Sequence, residues 1–244
     1  MQHEGSVRQT GIEITADLTI PKLFYQKAAK YGKERVAMRE KEFGIWRPIT
    51  WQDYLENVKY LALGLISLGL EEGDKVSMIG DNRPEGLWAE MATLCARGIG
   101  VWLFRDCLID EVKYIIDHSD TKFIFGEGQE EVDKAISIFN ECPKLEKIIW
   151  DDPKGMRNYE EDYLISLKEL QQLGRELDEE NPELFVEMVN KGSGEEVALL
   201  FYTSGTTALP KGALLSHHNM LTMGQHLMAV DPCKASDDYV SYLP

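Results

Sequence analysis

Apolar positions along the chain repeat with two periods, and these divide it into helices and strands. Tyr54, Val58, Leu61, Leu65 and Leu68 step by three and four, which is one face of a helix. Thr50 with Asp53 opens that helix as a capping box, and Gly69 closes it. Upstream, Pro21 in a first turn and Gly32 at the end bound a helix over 21–31. Between the two helices, 35–39 and 45–49 read as an antiparallel pair turning at Glu42-Phe43-Gly44.

A regular alternation follows. Short apolar runs at 75–79, 100–104, 122–126 and 145–150 read as strands, with helical patterns at 84–97, 111–117 and 130–140 between them. This order predicts an α/β fold, a mostly parallel sheet flanked by helices with right-handed crossovers. The alternation breaks at Asp151-Asp152-Pro153-Lys154-Gly155. An acidic helical stretch comes next, capped by Ser166 with Glu169 and restarted at Asn181-Pro182. Lys191-Gly192-Ser193-Gly194 reads as a flexible link into a buried strand at 197–202. A short strand at 213–215 and a helix at 219–230 complete the pattern. The expected division is therefore 1–190, an N-terminal α/β subdomain, and 191–244, a strand, loop and helix that begin a further part.

Composition narrows the class. Hydrophobic residues make up 43% and charged residues 28% of 244, ordinary values for a soluble globular chain. The net charge of −16, with no basic patch to offset it, argues against a nucleic-acid partner. The acidic runs at 159–162 and 176–183 read as solvated faces. Four widely spaced cysteines with no Cys-x-x-Cys pair fit a reducing compartment. No signal core and no apolar run of membrane-spanning length is present. A cytoplasmic location is the expectation, with a peripheral membrane contact left open and the oligomeric state undetermined.

The candidate chemistry lies at Tyr202-Thr203-Ser204-Gly205-Thr206-Thr207-Ala208-Leu209-Pro210-Lys211-Gly212. A strand running into a small, hydroxylated, glycine-bearing loop offers backbone N–H groups, hydroxyls and one ammonium to an anion. At about 1.5–3 kcal/mol for each charge-assisted hydrogen bond, four or five would hold a triphosphate tail. A Walker-type loop is excluded. Pro210 stands where its second glycine belongs and Gly212 where its magnesium-binding hydroxyl belongs, and proline has no N–H to donate. A Thr/Ser/Gly/Pro cluster by itself is usually a plain loop, but eleven residues in this order are more specific.

That segment resembles the signature of the AMP-forming adenylating superfamily, an aromatic residue followed by Thr-Ser-Gly-Thr-Thr-Gly-x-Pro-Lys-Gly. It departs from it once, at Ala208, where the family has glycine. If the position needs positive φ, alanine costs on the order of 1 kcal/mol. The resemblance runs from about Leu18 onward. The stretches 39–46, 151–157 and 214–217 are similar to bacterial long-chain fatty-acid–CoA ligases.

The resemblance implies an ATP-dependent acid–thiol ligase that forms an acyl-adenylate and pyrophosphate, after which coenzyme A thiolate displaces AMP. Thr203, Ser204, Gly205, Thr206, Thr207 and Lys211 would cradle the β- and γ-phosphates. Thr206 would contact Mg2+, and Lys211 would be the catalytic cation. The implied substrate is a carboxylic acid, a long-chain fatty acid by the same resemblance. Adenylation of an aryl, amino or short-chain acid is the alternative, as is a non-catalytic nucleotide-binding remnant. The family's later elements have no counterpart here, so a fragment inactive by itself and poorly soluble is expected.

Other residues carry less. His217 and His218 sit where a helix begins, and no matched nucleophile and carboxylate supports a hydrolase triad. Asp81-Asn82-Arg83-Pro84 reads as a packing turn between a strand and a helix. Trp102 and Phe104 read as core residues of a buried strand.

Overall fold

The structure is a computed structural model that describes residues 13–203, 209–234 and 236–241. Helix α1 (Ile20–Tyr31) begins one residue before the predicted proline, with Thr19 as its cap accepting from the Lys22 N–H at 3.2 Å. Strands β1 (Val36–Glu42) and β2 (Ile45–Thr50) form a separate antiparallel hairpin, longer than the pattern predicts. Helix α2 (Trp51–Ser67) has the predicted capping box. Thr50 Oγ1 accepts from the Asp53 N–H at 3.1 Å, and the Thr50 N–H donates to Asp53 Oδ2 at 2.9 Å.

The predicted α/β alternation is present. It comprises β3 (Lys75–Ile79), α3 (Pro84–Cys95), β4 (Ile99–Leu103), α4 (Ile109–His118), β5 (Thr121–Gly126), α5 (Gln129–Ile138) and β6 (Lys147–Trp150). The chain then adds an unpredicted strand, β7 (Leu164–Ser166), parallel to β6. Helices α6 (Leu167–Glu180) and α7 (Leu184–Lys191) follow, then β8 (Val197–Thr203), β9 (Lys211–Ser216) and α8 (His217–Val230).

Seven strands make one sheet in the order β7-β6-β5-β3-β4-β8-β9, with β9 antiparallel to its neighbour and the others parallel. Both faces of its centre are covered, so its strands read as continuous apolar runs rather than alternating ones. Val76, Met78, Phe123, Phe125 and Ile149 pack on one side with α1, α2, α3, α6 and α7. Ile79, Val101, Ile124 and Ile148 pack on the other with α4 and α5. The buried Ser77 hydroxyl has a partner in Thr121 at 2.7 Å, and Thr121 in turn in Ser119 at 2.7 Å.

Three expectations need correction. Residues 191–194 are not a free link, because the Gly194 N–H donates to Ala16 O at 2.8 Å and Lys22 Nζ donates to Gly192 O at 2.7 Å. Phe104 is not core. β4 ends at Leu103, and the Phe104 ring is 65% exposed. The last helix starts at His217, two residues before the predicted position, because Ser216 accepts from the Asn219 N–H as its cap.

Candidate active site

Parallel strands direct their carboxyl ends to one edge, and the chain places its charged groups there. β3 is followed by α3 on one face and β5 by α5 on the other, so the crevice between β3 and β5 is a topological switch point, where ligands of open α/β sheets bind. A cleft opens there, lined by Gly80, Asp81, Gly126 and Glu127 from the strand ends and by Arg83 and Trp102. Arg83 reaches carboxylates from four elements: Glu40 at 3.4 Å, Glu85 at 3.5 Å, Glu127 at 3.5 Å and Asp151 at 3.7 Å. Burial pushes the Glu85 and Asp151 carboxyls above the ordinary range, against the opposing pull of Arg83. The turn read as packing is therefore an ionic hub.

Two strands away, β8 and β9 carry the candidate phosphate loop. Thr203 ends β8 and Lys211 begins β9, and the two are cross-strand partners. Both are exposed, and among the described residues Lys211 has no ion-pair partner. Ser204, Gly205, Thr206 and Thr207, with Ala208, lie outside the described residues. The ladder thus brings the first and last predicted phosphate residues together, leaving one hydroxyl and one ammonium open at the carboxyl edge. That pairing suits a polyanion. Among the described residues no group of three His, Cys, Asp or Glu is placed to hold a metal ion.

Helix α4 grips the stems of this loop. The Tyr114 hydroxyl donates to Pro210 O at 3.0 Å, just before Lys211. His118 Nδ1 shares a 2.7 Å hydrogen bond with the Tyr202 hydroxyl, just before Thr203. The three rings stack edge to face, Tyr202 against Tyr114 at 6.4 Å and against His118 at 5.7 Å. Burial, with the nearby Tyr114, pushes the Tyr202 hydroxyl up to about 12. A Cβ on Gly212, across from Tyr202, would meet Leu200 Cδ1 at 2.7 Å, so glycine there lets the ladder close under the ring. Sequence reasoning places 111–117 on a helix and goes no further. The i, i+4 spacing of Tyr114 and His118 was the available signal, but nothing local names their partners about 90 residues away.

His217 is structural in its surroundings. It is buried at the first turn of α8, its N–H donates to Glu196 O at 3.1 Å, and burial pushes its imidazole down to about 4. No helix among the described residues is long and apolar enough to cross a membrane.

Comparison with known proteins agrees with the loop. The AMP-binding enzyme family matches residues 24–244. The chain is 28% identical to the long-chain-fatty-acid–CoA ligase ACSBG2 of Xenopus laevis over 233 residues, 93% of this chain and 30% of that protein. It is similar, again at 28%, to ACSBG1 of Rattus norvegicus, covering 31% of its length. The chain thus spans about a third of the relatives it matches. Among solved structures, acetoacetyl-CoA synthetase from Streptomyces lividans superposes with a TM-score of 0.69 at 21% identity, over 86% of this chain and 32% of that one. The anthranilate CoA ligase AuaEII, solved in complex with anthranoyl-AMP, gives 0.68 at 17% identity over 87% of this chain and 37% of that one. At these identities the structural likeness speaks for the fold.

Proposed function

This chain belongs to the AMP-binding enzyme family, and from that premise we propose that it carries the phosphate-loop portion of an ATP-dependent, AMP-forming acid–thiol ligase for long-chain fatty acids. The observation that carries the reading is the cross-strand pair Thr203–Lys211, which holds both ends of the signature loop at the carboxyl edge with an exposed ammonium. The long-chain preference follows the relatives' names and the similar stretches at 39–46, 151–157 and 214–217.

Lys211 neutralises charge on the β- and γ-phosphates, charge that grows on the leaving pyrophosphate as the acid's carboxylate attacks the α-phosphorus. The Thr203 hydroxyl donates to a phosphate oxygen, joined by Ser204, Gly205, Thr206 and Thr207 of the loop. Magnesium, when bound, would supply further charge neutralisation, with Thr206 as its protein contact. In the second half-reaction coenzyme A thiolate displaces AMP from the acyl-adenylate. The β8–β9 ladder contributes by holding Thr203 and Lys211 opposite each other before the nucleotide arrives.

The test is acid-dependent exchange of pyrophosphate into ATP, run on the native-length protein with a panel of acids. Exchange with long-chain fatty acids is the expected result. Exchange only with aryl, amino or short-chain acids would move the substrate class and keep the chemistry. No exchange with any acid, together with no ATP binding, would overturn the reading in favour of a non-catalytic member of the family.

A further inference from the structure

Helix α4 holds the candidate loop at both of its stems, through Tyr202 and Pro210. Tyr114 and His118 lie one turn apart on that helix. One hydroxyl donates to the carbonyl of Pro210, on the β9 side. The other residue's ring nitrogen meets the hydroxyl of Tyr202, on the β8 side. The helix is itself anchored, since Val112, Ile115 and Ile116 are buried in the core against β4 and β5. At the helix end, Ser119 joins the buried chain Ser119–Thr121–Ser77, which reaches into β3. The stems are therefore tied through α4 to β3, two places from β8 in the sheet, and not only to each other.

The tie matters because, among the described residues, β9 has one strand neighbour, β8. A hairpin held by one ladder can twist or fray at the end where a long connection joins its strands. Thr203 and Lys211 sit at that end. A displacement of about 1 Å there would misalign the donors with the phosphates. The Tyr114 bond holds the Pro210 carbonyl and the His118 bond holds the Tyr202 side chain, each one residue along the chain from this pair.

We propose that Tyr114 and His118 are positioning residues for the nucleotide, which hold the two stems of the phosphate loop at fixed separation and so set the affinity for ATP. The proposal rests on the ligase reading for its consequence, and on the geometry alone for the restraint of the stems. Among the described residues their side-chain hydrogen bonds go to the stems, so their loss weakens ATP binding and leaves the acid and coenzyme A steps unaltered. Losing one hydrogen bond of ordinary strength is worth about 3- to 10-fold in ATP affinity.

The experiment uses the native-length protein with four variants: Tyr114→Phe, His118→Leu, His118→Asn, and Tyr114→Phe with His118→Leu. Tyr114→Phe removes one oxygen and keeps the ring packing, so it reports even where His118→Leu fails to fold. Amide hydrogen exchange at 201–203 and 211–213 reads the stems without needing activity. Steady-state kinetics read KM for ATP apart from kcat and from KM for the acid.

The expected result is faster exchange confined to those amides, with a rise of about 3- to 10-fold in KM for ATP in each of Tyr114→Phe and His118→Leu. His118→Asn, whose amide reaches the position of Nδ1, should restore most of the loss. Unchanged exchange at the stems in the double variant would overturn the proposal. So would faster exchange with an unchanged KM for ATP, or a fall in kcat alone. If the unsubstituted protein neither binds ATP nor catalyses exchange, the ligase reading falls and the affinity claim falls with it. Faster stem exchange in the variants would still establish the restraint.

Discussion

Helices α2 and α6 cross so closely that their glycines touch backbone, and one added methyl group tests the packing of this whole layer. A Cβ built on Gly174 would lie 1.9 Å from Tyr60 O and 2.9 Å from Gly64 N, while one on Gly64 would lie 2.2 Å from Leu170 O. These neighbours are main-chain atoms inside helices, so no side-chain rotation relieves them. Reaching an ordinary carbon–oxygen contact of about 3.4 Å requires the axes to part by roughly 1.5 Å. The crossing is flanked by Leu61, Leu65, Leu167 and Leu170, all buried, which would lose contact with each other. Opening about 100–150 Å² of apolar surface costs about 2.5–4 kcal/mol. Alanine recovers about 1 kcal/mol of helix propensity.

Gly174→Ala should therefore destabilise the protein by about 1.5–3 kcal/mol, lowering the thermal midpoint by roughly 3–12 °C. Gly224→Ala supplies the contrast. It is also inside a helix, α8, but its Cβ would meet nothing within 4 Å. With propensity alone at work, it should stabilise by up to about 1 kcal/mol. The assay is circular dichroism at the helical band, by heat and by urea, on both variants and the unsubstituted protein. If Gly174→Ala melts at or above the unsubstituted protein, the close crossing of α2 and α6 is wrong.

Three further predictions follow from the edge and from the caps. Lys211→Met should lower kcat/KM for ATP by about 10- to 100-fold through loss of a charge-assisted hydrogen bond, measured by pyrophosphate exchange; an unchanged value would remove Lys211 from the site. Arg83→Met leaves Glu40, Glu85, Glu127 and Asp151 facing one another, and should cost about 2–3 kcal/mol at neutral pH, below the figure for fully buried pairs because Arg83 is one-third exposed. Because Glu85 and Asp151 have raised folded values, their contribution to stability is full below the ordinary carboxylate range and is lost as pH rises through those values, so the urea midpoint of Arg83→Met should recover toward the unsubstituted one between pH 7.5 and pH 5; a deficit that grows on acidification would contradict the ionic hub. Ser166→Ala should cost about 1 kcal/mol at pH 7. The Ser166 hydroxyl and N–H hold Glu169 below its ordinary value, so that stabilisation is lost as pH falls through the lowered value, and the difference in urea midpoint should narrow as pH falls below the ordinary carboxylate range.

What the sequence makes legible here is short-range chemistry. The capping boxes at Thr50–Asp53 and Ser166–Glu169 involve residues three apart, and both are present as read. The strand at 75–79 is found with the boundaries its apolar run predicts. What escapes is set by distant partners. β7 has three residues, too few for a period, and exists because Ile148 N–H donates to Tyr163 O and Leu164 pairs with Ile148. Residues 191–194 have the composition of a linker, but Ala16 and Lys22 from the start of the chain tie them down. The same holds at the site. The signature at 202–212 offers candidate phosphate residues, whereas the grip of α4 on its stems and the Arg83 hub join elements that only the sheet order brings together.

The sheet order also bears on how a chain of net charge −16 could receive a polyanion. Arg83 follows β3 and the phosphate loop follows β8, with β4 between them. At about 4.8 Å per strand, the acidic switch-point cleft lies roughly 10 Å from the loop. That distance is about one Debye length at physiological salt, so the cleft's charge is felt but damped. Four carboxylates without Arg83 would oppose each phosphate charge by about 0.4 kcal/mol apiece in water, before screening. Arg83 removes part of that opposition, and Arg105 does the same for Asp81 and Glu131, at 2.5 Å and 3.0 Å. The long-range field therefore gives the nucleotide no steering. On the proposed reading, capture would depend on donors within hydrogen-bond distance, so the placement of Thr203 and Lys211 by the stems, rather than the charge of the surrounding surface, would decide whether this edge binds phosphate.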